Sequence, residues 1–416
     1  MLTRRSLLAL RGGGLLLPSL LPGRAFGDGA SPDRKFLFVF CPGGWDPTYV
    51  FAPLFGNPLV DMEPAATTAT ANGIPFVDAA SRPSVRAFFE DFGDRACVVN
   101  GMEVRSVAHD VCRRIAMTGS SLPGGDDWAA ILGANAADAP PLPFVHISGP
   151  AYGNQYGSAV VRVGSKGQFG KLLDGSALTE STPPILAPSA TLDGLEDAYA
   201  LARAEAFAAA AARGRAARIG ELAVTVEKDL AAITERGALA LGGGDLADGL
   251  ADIVSLFQQK LARCGMIAFN GHLDWGWDTH SSNDLQDLHF EELFAALNTT
   301  LRALDALPGD RGTLLDDTTV VVVSEMGRYP QLNNTFGKEH WTFTSCLLVG
   351  GGVAGGQVIG EYDSNAAGRP VDLASGAATD DGVLLVPGNL GATLLTIAGV
   401  DPAEFVGDAP IAAAIA

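Results

Sequence analysis

The chain has 416 residues, a formal net charge of −19 at pH 7 and a sequence isoelectric point near 4.6. A chain of this length can bury one large core or two modest ones. The negative charge disfavours nucleic acid and anionic lipid as partners, because it would repel both. An anionic substrate would need local positive charge, such as a bound metal ion.

The first 27 residues have the features of a twin-arginine export signal. The stretch "TRRSLLAL" places Arg4 and Arg5 before an apolar run, and Ala25 and Gly27 supply small residues for cleavage. A membrane anchor is the weaker alternative, because Arg11 interrupts the run of ~18 apolar residues that spanning needs. We predict cleavage near Gly27, use of the twin-arginine export machinery, a periplasmic or secreted location and no transmembrane span in the mature chain.

Short apolar runs recur along the chain and predict buried strands. In order they are "FLFVFC" (36–41), "ACVVN" (96–100), "GMIAFN" (265–270), "TTVVVVSE" (318–325) and "CLLVG" (346–350), with "PFVHIS" (143–148) as a sixth candidate. Continuous apolar runs, rather than alternating ones, are typical of central parallel strands that are covered on both faces.

Helical patterns lie between these runs. Residues 192–240 are alanine-rich with one apolar stripe, and they predict a long helical hairpin inserted in the fold. Residues 246–261 and 290–304 also keep helical spacing, and residues 389–405 predict a closing helix. Strands that alternate with helices predict an α/β fold in three layers, α/β/α, with a mostly parallel central sheet. We expect a single domain over residues 28–416.

The cysteines give no sign of a disulfide framework or a zinc–thiolate site. Their count is odd and they are scattered without close pairs. They are Cys41, Cys97, Cys112, Cys264 and Cys346. We expect free thiols, buried where they lie in apolar runs.

Polar residues follow several of the predicted strands, where ligands bind in open α/β sheets. In chain order these residues are Asp46, Asp278, His280, Glu325 and His340. Taken singly, each has an ordinary structural explanation. Together they form a plausible set for one or two divalent ions, and carboxylates with imidazoles suit zinc, manganese or iron better than calcium.

Four motifs resemble the DUF1501 family of exported bacterial proteins. They are "GWDTHS" (276–281), "VVVVSEMGRYPQ" (320–331), "GKEHW" (337–341) and "GGGVAGGQVIG" (350–360). The resemblance implies twin-arginine export and an alkaline phosphatase-like fold of the phosphatase–sulfatase superfamily. It also implies that Asp46 and Glu325 share one ion, with Met326 at a position that is a histidine ligand elsewhere. Asp278, His280 and His340 would hold the other ion.

The stretch "HDVCRRIAMTG" (109–119) resembles the nucleophile segment of sulfatases. The resemblance puts His109 at the position of the nucleophilic cysteine or serine, and Arg113 at that of the arginine that steadies it. Histidine has no hydroxyl, so this position departs from a standard phosphatase or sulfatase mechanism. His109 would bind metal, act as acid or base, or take the transferred group.

Other histidines and the tryptophans beside "GWDTHS" carry weaker signals. His146 lies inside an apolar run and we expect a core histidine, whereas His289 is expected at the surface or at a boundary. His272 could orient ligands from behind. Packing under the loop is the commoner fate of Trp275 and Trp277.

Two functions compete on this basis. The first is an exported metal-dependent hydrolase that uses metal-bound water to attack a small or envelope-associated phosphate or sulfate ester, with zinc, manganese or magnesium as the ion. Arg113 would contact the anion. The second is a metal-stabilised envelope scaffold or binding protein whose active site has degenerated. A third possibility, coincidence of the polar residues, predicts no bound metal.

Overall fold

The computed structural model describes residues 34–137, 140–164, 189–210 and 245–416, with residues 171, 223–225, 227–229 and 233 between them. The predicted export signal lies outside the described residues. Within these ranges, no helix combines the length and apolar character needed to cross a bilayer.

An eight-stranded sheet forms the centre of the molecule, with two small two-stranded sheets beside it. The strands in the described residues are β1 (Lys35–Phe40), β2 (Thr67–Ala71), β3 (Ile74–Asp78), β4 (Ala96–Glu103), β5 (Phe144–His146), β6 (Val160–Arg162), β7 (Cys264–Ala268), β8 (Thr318–Val323), β9 (Gly327–Arg328), β10 (His340–Trp341), β11 (Phe343–Gly350) and β12 (Gln357–Ile359). The order in the large sheet is β12-β4-β11-β8-β1-β7-β5-β6. All six apolar runs lie in this sheet, as predicted.

The large sheet is parallel except at β11. This strand pairs antiparallel with both of its neighbours, β4 and β8, whereas every other pairing in the large sheet is parallel. The carboxyl ends of β4, β8, β1 and β7 therefore meet at one edge of the sheet, together with the amino end of β11.

Helices cover both faces of the sheet. Among the described residues, the α-helices are α1 (Pro83–Phe92), α2 (His109–Thr118), α3 (Trp128–Ala134), α4 (Ala190–Ala210), α5 (Leu246–Gln258), α6 (Leu285–Ala306) and α7 (Pro387–Ile397), and short 3-10 turns lie between them. Apolar residues of α1, α5 and α6 join the core on one face, and those of α2, α3 and α7 join the core on the other. The fold class predicted from the sequence is confirmed: a three-layer α/β/α fold with a mostly parallel central sheet.

Strand β1 shows why the predicted strands are continuously apolar. Leu37 and Val39 pack into the core on one face of the sheet, and Phe36 and Phe38 pack into the core on the other. All four side chains are at most 1% exposed, and burying each contributes about 1.5–3 kcal/mol. A strand between two helical layers buries the side chains of both faces, so apolar residues predominate along it. The polar exceptions Thr318 and Thr319 in β8 are buried and donate hydrogen bonds to backbone carbonyls.

Two further expectations have definite outcomes. All five cysteines are buried free thiols. In the predicted hairpin at 192–240, helix α4 accounts for the first arm, and most of residues 211–240 lie outside the described residues.

Candidate metal site

The sheet order brings the predicted site residues to one edge. Strands β8, β1 and β7 are neighbours, so the loops after them start side by side, and these loops carry Glu325, Asp46 and Asp278. His340 reaches the same edge by the opposite route. It stands in β10, just before β11, and the amino end of the antiparallel β11 lies where the parallel strands have their carboxyl ends.

His109 joins the edge through β4. That strand runs in the same direction as β8, and α2 begins at His109 after the short loop that follows β4. The structure thus places a residue from the first half of the chain among the loops of the second half.

Three imidazoles converge on the Asp278 carboxylate. The Nε2 atoms of His280 and His340 each lie 3.1 Å from Asp278 Oδ1, and Nε2 of His109 lies 3.3 Å from Oδ2. One ligand atom each from His109, Asp278 and His340 lies within 4.8 Å of the others. We call His109, Asp278, His280 and His340 the histidine–aspartate cluster.

Each imidazole of the cluster also makes a hydrogen bond through its Nδ1, on the side away from Asp278. His109 Nδ1–H donates to Glu325 Oε1 at 3.0 Å, and His280 Nδ1–H is 3.0 Å from Glu339 Oε2. His340 Nδ1–H donates to the carbonyl of Val107 at 2.7 Å. A carbonyl or carboxylate can only accept, so each Nδ1 carries the proton and each Nε2 of a neutral ring presents a lone pair. Metal-binding histidines are held in this way.

These distances fit a bound divalent ion. The Nε2 atoms of His280 and His340 are 3.0 Å apart. Two lone pairs repel at that distance unless a proton or a metal ion lies between them. Ligands at about 2.0–2.1 Å from a tetrahedral zinc ion are about 3.3 Å from one another, close to the separations of 3.0–3.3 Å within the cluster.

The electrostatics keep Asp278 ionised. Burial raises the pKa of this carboxyl, but the hydrogen bond and charge of Arg328, followed by His340 and His109, outweigh it and lower the pKa to about 2. Arg328 NH2 lies 2.6 Å from Asp278 Oδ1, and its side chain is fully buried. The pKa of His109 is raised, mainly because Nδ1–H donates to Glu325.

Glu325 lies behind His109. Its side chain is fully buried, and Oε1 accepts from the Gly43 amide at 2.8 Å as well as from His109. Arg113 Nε lies 3.5 Å from the same oxygen. Arg113 stands one helical turn after His109 on α2, so both side chains lie on the same face of the helix. The contacts of Glu325 are those of a carboxylate that orients a histidine ligand.

Asp46 has a different partner. Its Oδ2 lies 2.8 Å from Lys338 Nζ, and both side chains are buried. Three of the five predicted ligands, Asp278, His280 and His340, lie together with His109. Glu325 contacts the cluster through His109, and Asp46 pairs with Lys338. Lys338 and Arg328 were not singled out from the sequence, although they stand inside the motifs "GKEHW" and "VVVVSEMGRYPQ".

The other residues near "GWDTHS" support the loop. His289 is fully buried, which contradicts the expected position at the surface or at a boundary. Its Nδ1 accepts from the His272 amide at 2.9 Å, and its Nε2–H donates to the Gly276 carbonyl at 3.0 Å. His272 pairs with Glu292 outside the cluster. Trp277 is buried under the loop, whereas Trp275 is 54% exposed.

The fold and this cluster define an α/β protein with a candidate histidine–aspartate metal site at the edge of a mostly parallel sheet. Residues 252–408 match the model of the family described as "Protein of unknown function (DUF1501)", which confirms over these residues the family that the motifs predict. Asp278, His280, Glu325 and His340 lie inside the matched segment, and His109 precedes it. No curated protein sequence matches the chain.

The chain also resembles solved structures at a distance. The lipoteichoic acid synthase LtaP from Listeria monocytogenes is 8% identical, with 92% of this chain and 75% of that chain covered and a TM-score of 0.40. Ps i-CgsB in complex with k-i-k-neocarrahexaose is 9% identical, with coverages of 91% and 75% and a TM-score of 0.36. BT4656 in complex with D-glucosamine-2-N,6-O-disulfate is 10% identical, with coverages of 91% and 79% and a TM-score of 0.35. Likenesses of this size do not decide the activity of this chain.

Proposed function

We propose that the protein is an exported, metal-dependent hydrolase of a phosphate or sulfate ester. The observation that carries the proposal is the convergence of three imidazole Nε2 atoms on one carboxylate, with each Nδ1 held from behind. His109, Asp278, His280 and His340 would hold a divalent ion. A bound ion would supply a Lewis acid that lowers the pKa of a water ligand and polarises an ester oxygen.

The contacts of His109 favour a ligand over a nucleophile. Nδ1 is engaged by Glu325 and Nε2 faces Asp278, so neither nitrogen is directed at a substrate when an ion is bound. This agrees with the absence of a hydroxyl at that position. His109 would then serve to hold the ion and not to carry the transferred group.

Arg113 is the proposed contact for the substrate anion. Its side chain is 35% exposed and lies beside His109 on α2. The guanidinium fork can donate two parallel hydrogen bonds to phosphate or sulfate oxygens. In a chain of net charge −19, such a cation next to the ion would offset the repulsion between the protein and an anionic ester.

Export is part of the proposal and rests on residues 1–27. The paired arginines, the apolar run and the small residues at the expected cleavage site support transport through the twin-arginine pathway to the periplasm or the medium. The five free cysteines are compatible with this route, because its substrates cross the membrane folded. The N-terminus of the exported chain, determined by mass spectrometry, tests this part: an N-terminus upstream of Arg11 would exclude it.

The direct test is turnover. Purified protein loaded with zinc, manganese or magnesium is assayed against aryl phosphate monoesters, diesters and sulfate esters, with His340→Ala as the inactive variant and His272→Ala as the matched control. We expect turnover that needs the metal, disappears in His340→Ala and survives in His272→Ala. No turnover with any of these metals at full occupancy would exclude the hydrolase.

The second candidate, a metal-stabilised scaffold or binding protein, is favoured by one observation. Met326, at the position that the resemblance assigns to a histidine ligand, is fully buried and packs with Val104, Cys112 and Ile115. The double variant Asp278→Ala/His280→Ala separates the two candidates. The scaffold is supported if the natural chain hydrolyses none of the esters and the double variant loses both the metal and thermal stability.

A further inference from the structure

Asp46 is a buried carboxylate whose lone pairs are all in use. Oδ1 accepts from the Thr48 amide at 3.0 Å and from the Thr48 hydroxyl at 2.7 Å. Oδ2 accepts from Asn283 Nδ2 at 2.9 Å and from Lys338 Nζ at 2.8 Å. A carboxylate offers about four lone-pair sites, so these four donors leave none for a metal ion.

The hydrogen-bond donors of Lys338 are also all in use. Its ammonium group contacts Asp46 at 2.8 Å, the Asp61 carbonyl at 3.1 Å and the Thr48 hydroxyl at 3.3 Å. These are three acceptors for three N–H donors, and the side chain is 1% exposed. A buried ion pair with complete hydrogen bonding is the arrangement in which two desolvated charges compensate each other.

The neighbouring residues do not provide the remaining ligands of a second ion. Glu325 Oε1 accepts from Gly43 and His109, and Oε2 accepts from the Ser324 hydroxyl at 3.4 Å. Met326 offers a thioether in an apolar cluster, and a Cβ added to Gly44 would stand 2.9 Å from its Cγ, so the Met326 side chain lies directly against the loop after β1. In the described residues, the one group of three or more candidate ligands is the set of His109, Asp278 and His340.

We propose that Lys338 takes the place of a second metal ion at Asp46, so that the site binds a single ion, held by the histidine–aspartate cluster. The inference rests on the proposed function, because it concerns the ion count of the same site. The fixed charge of Lys338 would keep Asp46 and the loop after β1 in place whether or not an ion is bound. This departs from the two-ion arrangement that the resemblance implies for Asp46 and Glu325.

Metal content tests the count without any measurement of hydrolysis. The metal-free protein is reloaded with zinc, and bound zinc per chain and zinc affinity are measured for the natural chain and for Asp46→Asn, Lys338→Met and His340→Ala. We expect one ion per chain, retained in Asp46→Asn with an affinity within about 2-fold, and lost in His340→Ala. Lys260→Met is the matched control, because it breaks the exposed Lys260–Asp310 pair at 2.8 Å and should change neither quantity.

Thermal unfolding of the metal-free protein tests the pair itself. Asp46→Asn and Lys338→Met each leave one buried charge without its partner and should lower the melting temperature. The double variant Asp46→Asn/Lys338→Met removes both charges and should melt above either single variant. This variant also provides folded protein for the zinc measurement if a single variant does not fold.

The outcomes separate the two proposals. Two ions per chain, or loss of the ion in Asp46→Asn, would overturn the single-ion inference and leave the hydrolase standing. A double variant that melts below both single variants would overturn the role of Lys338. No bound ion in the natural chain would overturn the metal-dependent hydrolase and the ion count together.

Discussion

The Nε2 atoms of His280 and His340 lie 3.0 Å apart, although the Nδ1–H of each ring is already donated elsewhere. In neutral imidazoles this places two lone pairs in contact, and Asp278 Oδ1 stands 3.1 Å from both nitrogens. These three electron-rich atoms repel one another unless a proton or a metal ion lies between them. His280 and His340 are 60 positions apart in the chain. Their contact is therefore a property of the fold and not of one loop.

Loss of His340 should abolish tight metal binding. His340→Ala removes one nitrogen of the cluster, and we expect zinc affinity to fall by at least about 100-fold, more than the 10–100-fold that loss of an outer-shell partner causes. His272→Ala changes a histidine of the same edge that pairs with Glu292, and its affinity should stay within about 2-fold. Competition with a chromogenic chelator measures both. Equal losses in the two variants would contradict the assignment.

Glu325→Gln tests whether Glu325 orients His109 or binds the ion. The amide keeps an oxygen that can accept from His109 Nδ1 but loses the negative charge that strengthens this hydrogen bond. We expect zinc to stay at one ion per chain with an affinity lowered about 10–100-fold. Metal analysis after dialysis gives the stoichiometry. Complete loss of zinc would instead make Glu325 a direct ligand.

Arg113→Lys should weaken the handling of the substrate anion. Lysine keeps the charge but lacks the planar fork, so kcat/KM for an active ester should fall about 10- to 100-fold, the equivalent of one or two charge-assisted hydrogen bonds. Zinc affinity should not change. The control is Arg114→Lys, because Arg114 stacks over Tyr152 and donates to Ser121. A similar decrease in both variants would argue against a specific role for Arg113.

Gly337→Ala should displace the loop that carries His280. A Cβ at this position would stand 2.0 Å from the His280 carbonyl carbon, so the backbone must move, at a cost of about 3 kcal/mol in unfolding free energy. Zinc affinity should decrease with it, since His280 and His340 can no longer keep their separation. Gly407→Ala meets no atom within 4 Å and serves as the control. Urea unfolding measures the unfolding free energy, and zinc titration measures the affinity. If neither changes in Gly337→Ala, the close approach of Gly337 to His280 does not hold the site in place.

His289 should make the fold less stable in mild acid. Burial, the largest cause, lowers the pKa of this imidazole from 6.5 to about 4. Above pH 6.5 the ring is neutral in both the folded and the unfolded chain. Between pH 6.5 and 4 only the unfolded chain takes up the proton, so this contribution to stability is lost as the pH falls. The loss amounts to about 1–2 kcal/mol at pH 5.

Replacement of His289 by glutamine tests this pH dependence. Glutamine can still accept from the His272 amide and donate to the Gly276 carbonyl, but it does not titrate. Between pH 7.5 and pH 5 the variant should therefore lose about 1–2 kcal/mol less unfolding free energy than the natural chain. Urea unfolding at the two pH values measures the difference. Equal losses would show that His289 is not the titrating group.

The predicted strands and most of the candidate ligands could be found without the structure. A strand buried on both faces is mostly apolar, so "FLFVFC" and "TTVVVVSE" can be recognised in the sequence as apolar runs. The first polar residues after such runs stand at the edge of the sheet, which is why Asp278, His280 and Glu325 could be named. His109 was found through the sulfatase resemblance of its segment, because nothing in its own spacing distinguishes a ligand from a helix start.

The partner of each polar group could not be predicted in the same way. Lys338 and Asp46 become neighbours only because β11 runs against β8 and so carries the hairpin before it back to the loop after β1. The position of His289 was wrong for a similar reason: the "GWDTHS" loop folds over this histidine and buries it, whereas the sequence shows only a helix start. Local hydrophobicity and spacing therefore determined the layers of this protein and the edge at which its polar residues gather. The order and direction of the strands decided which side chains meet, because a contact between residues far apart in sequence depends on the whole sheet that brings them together.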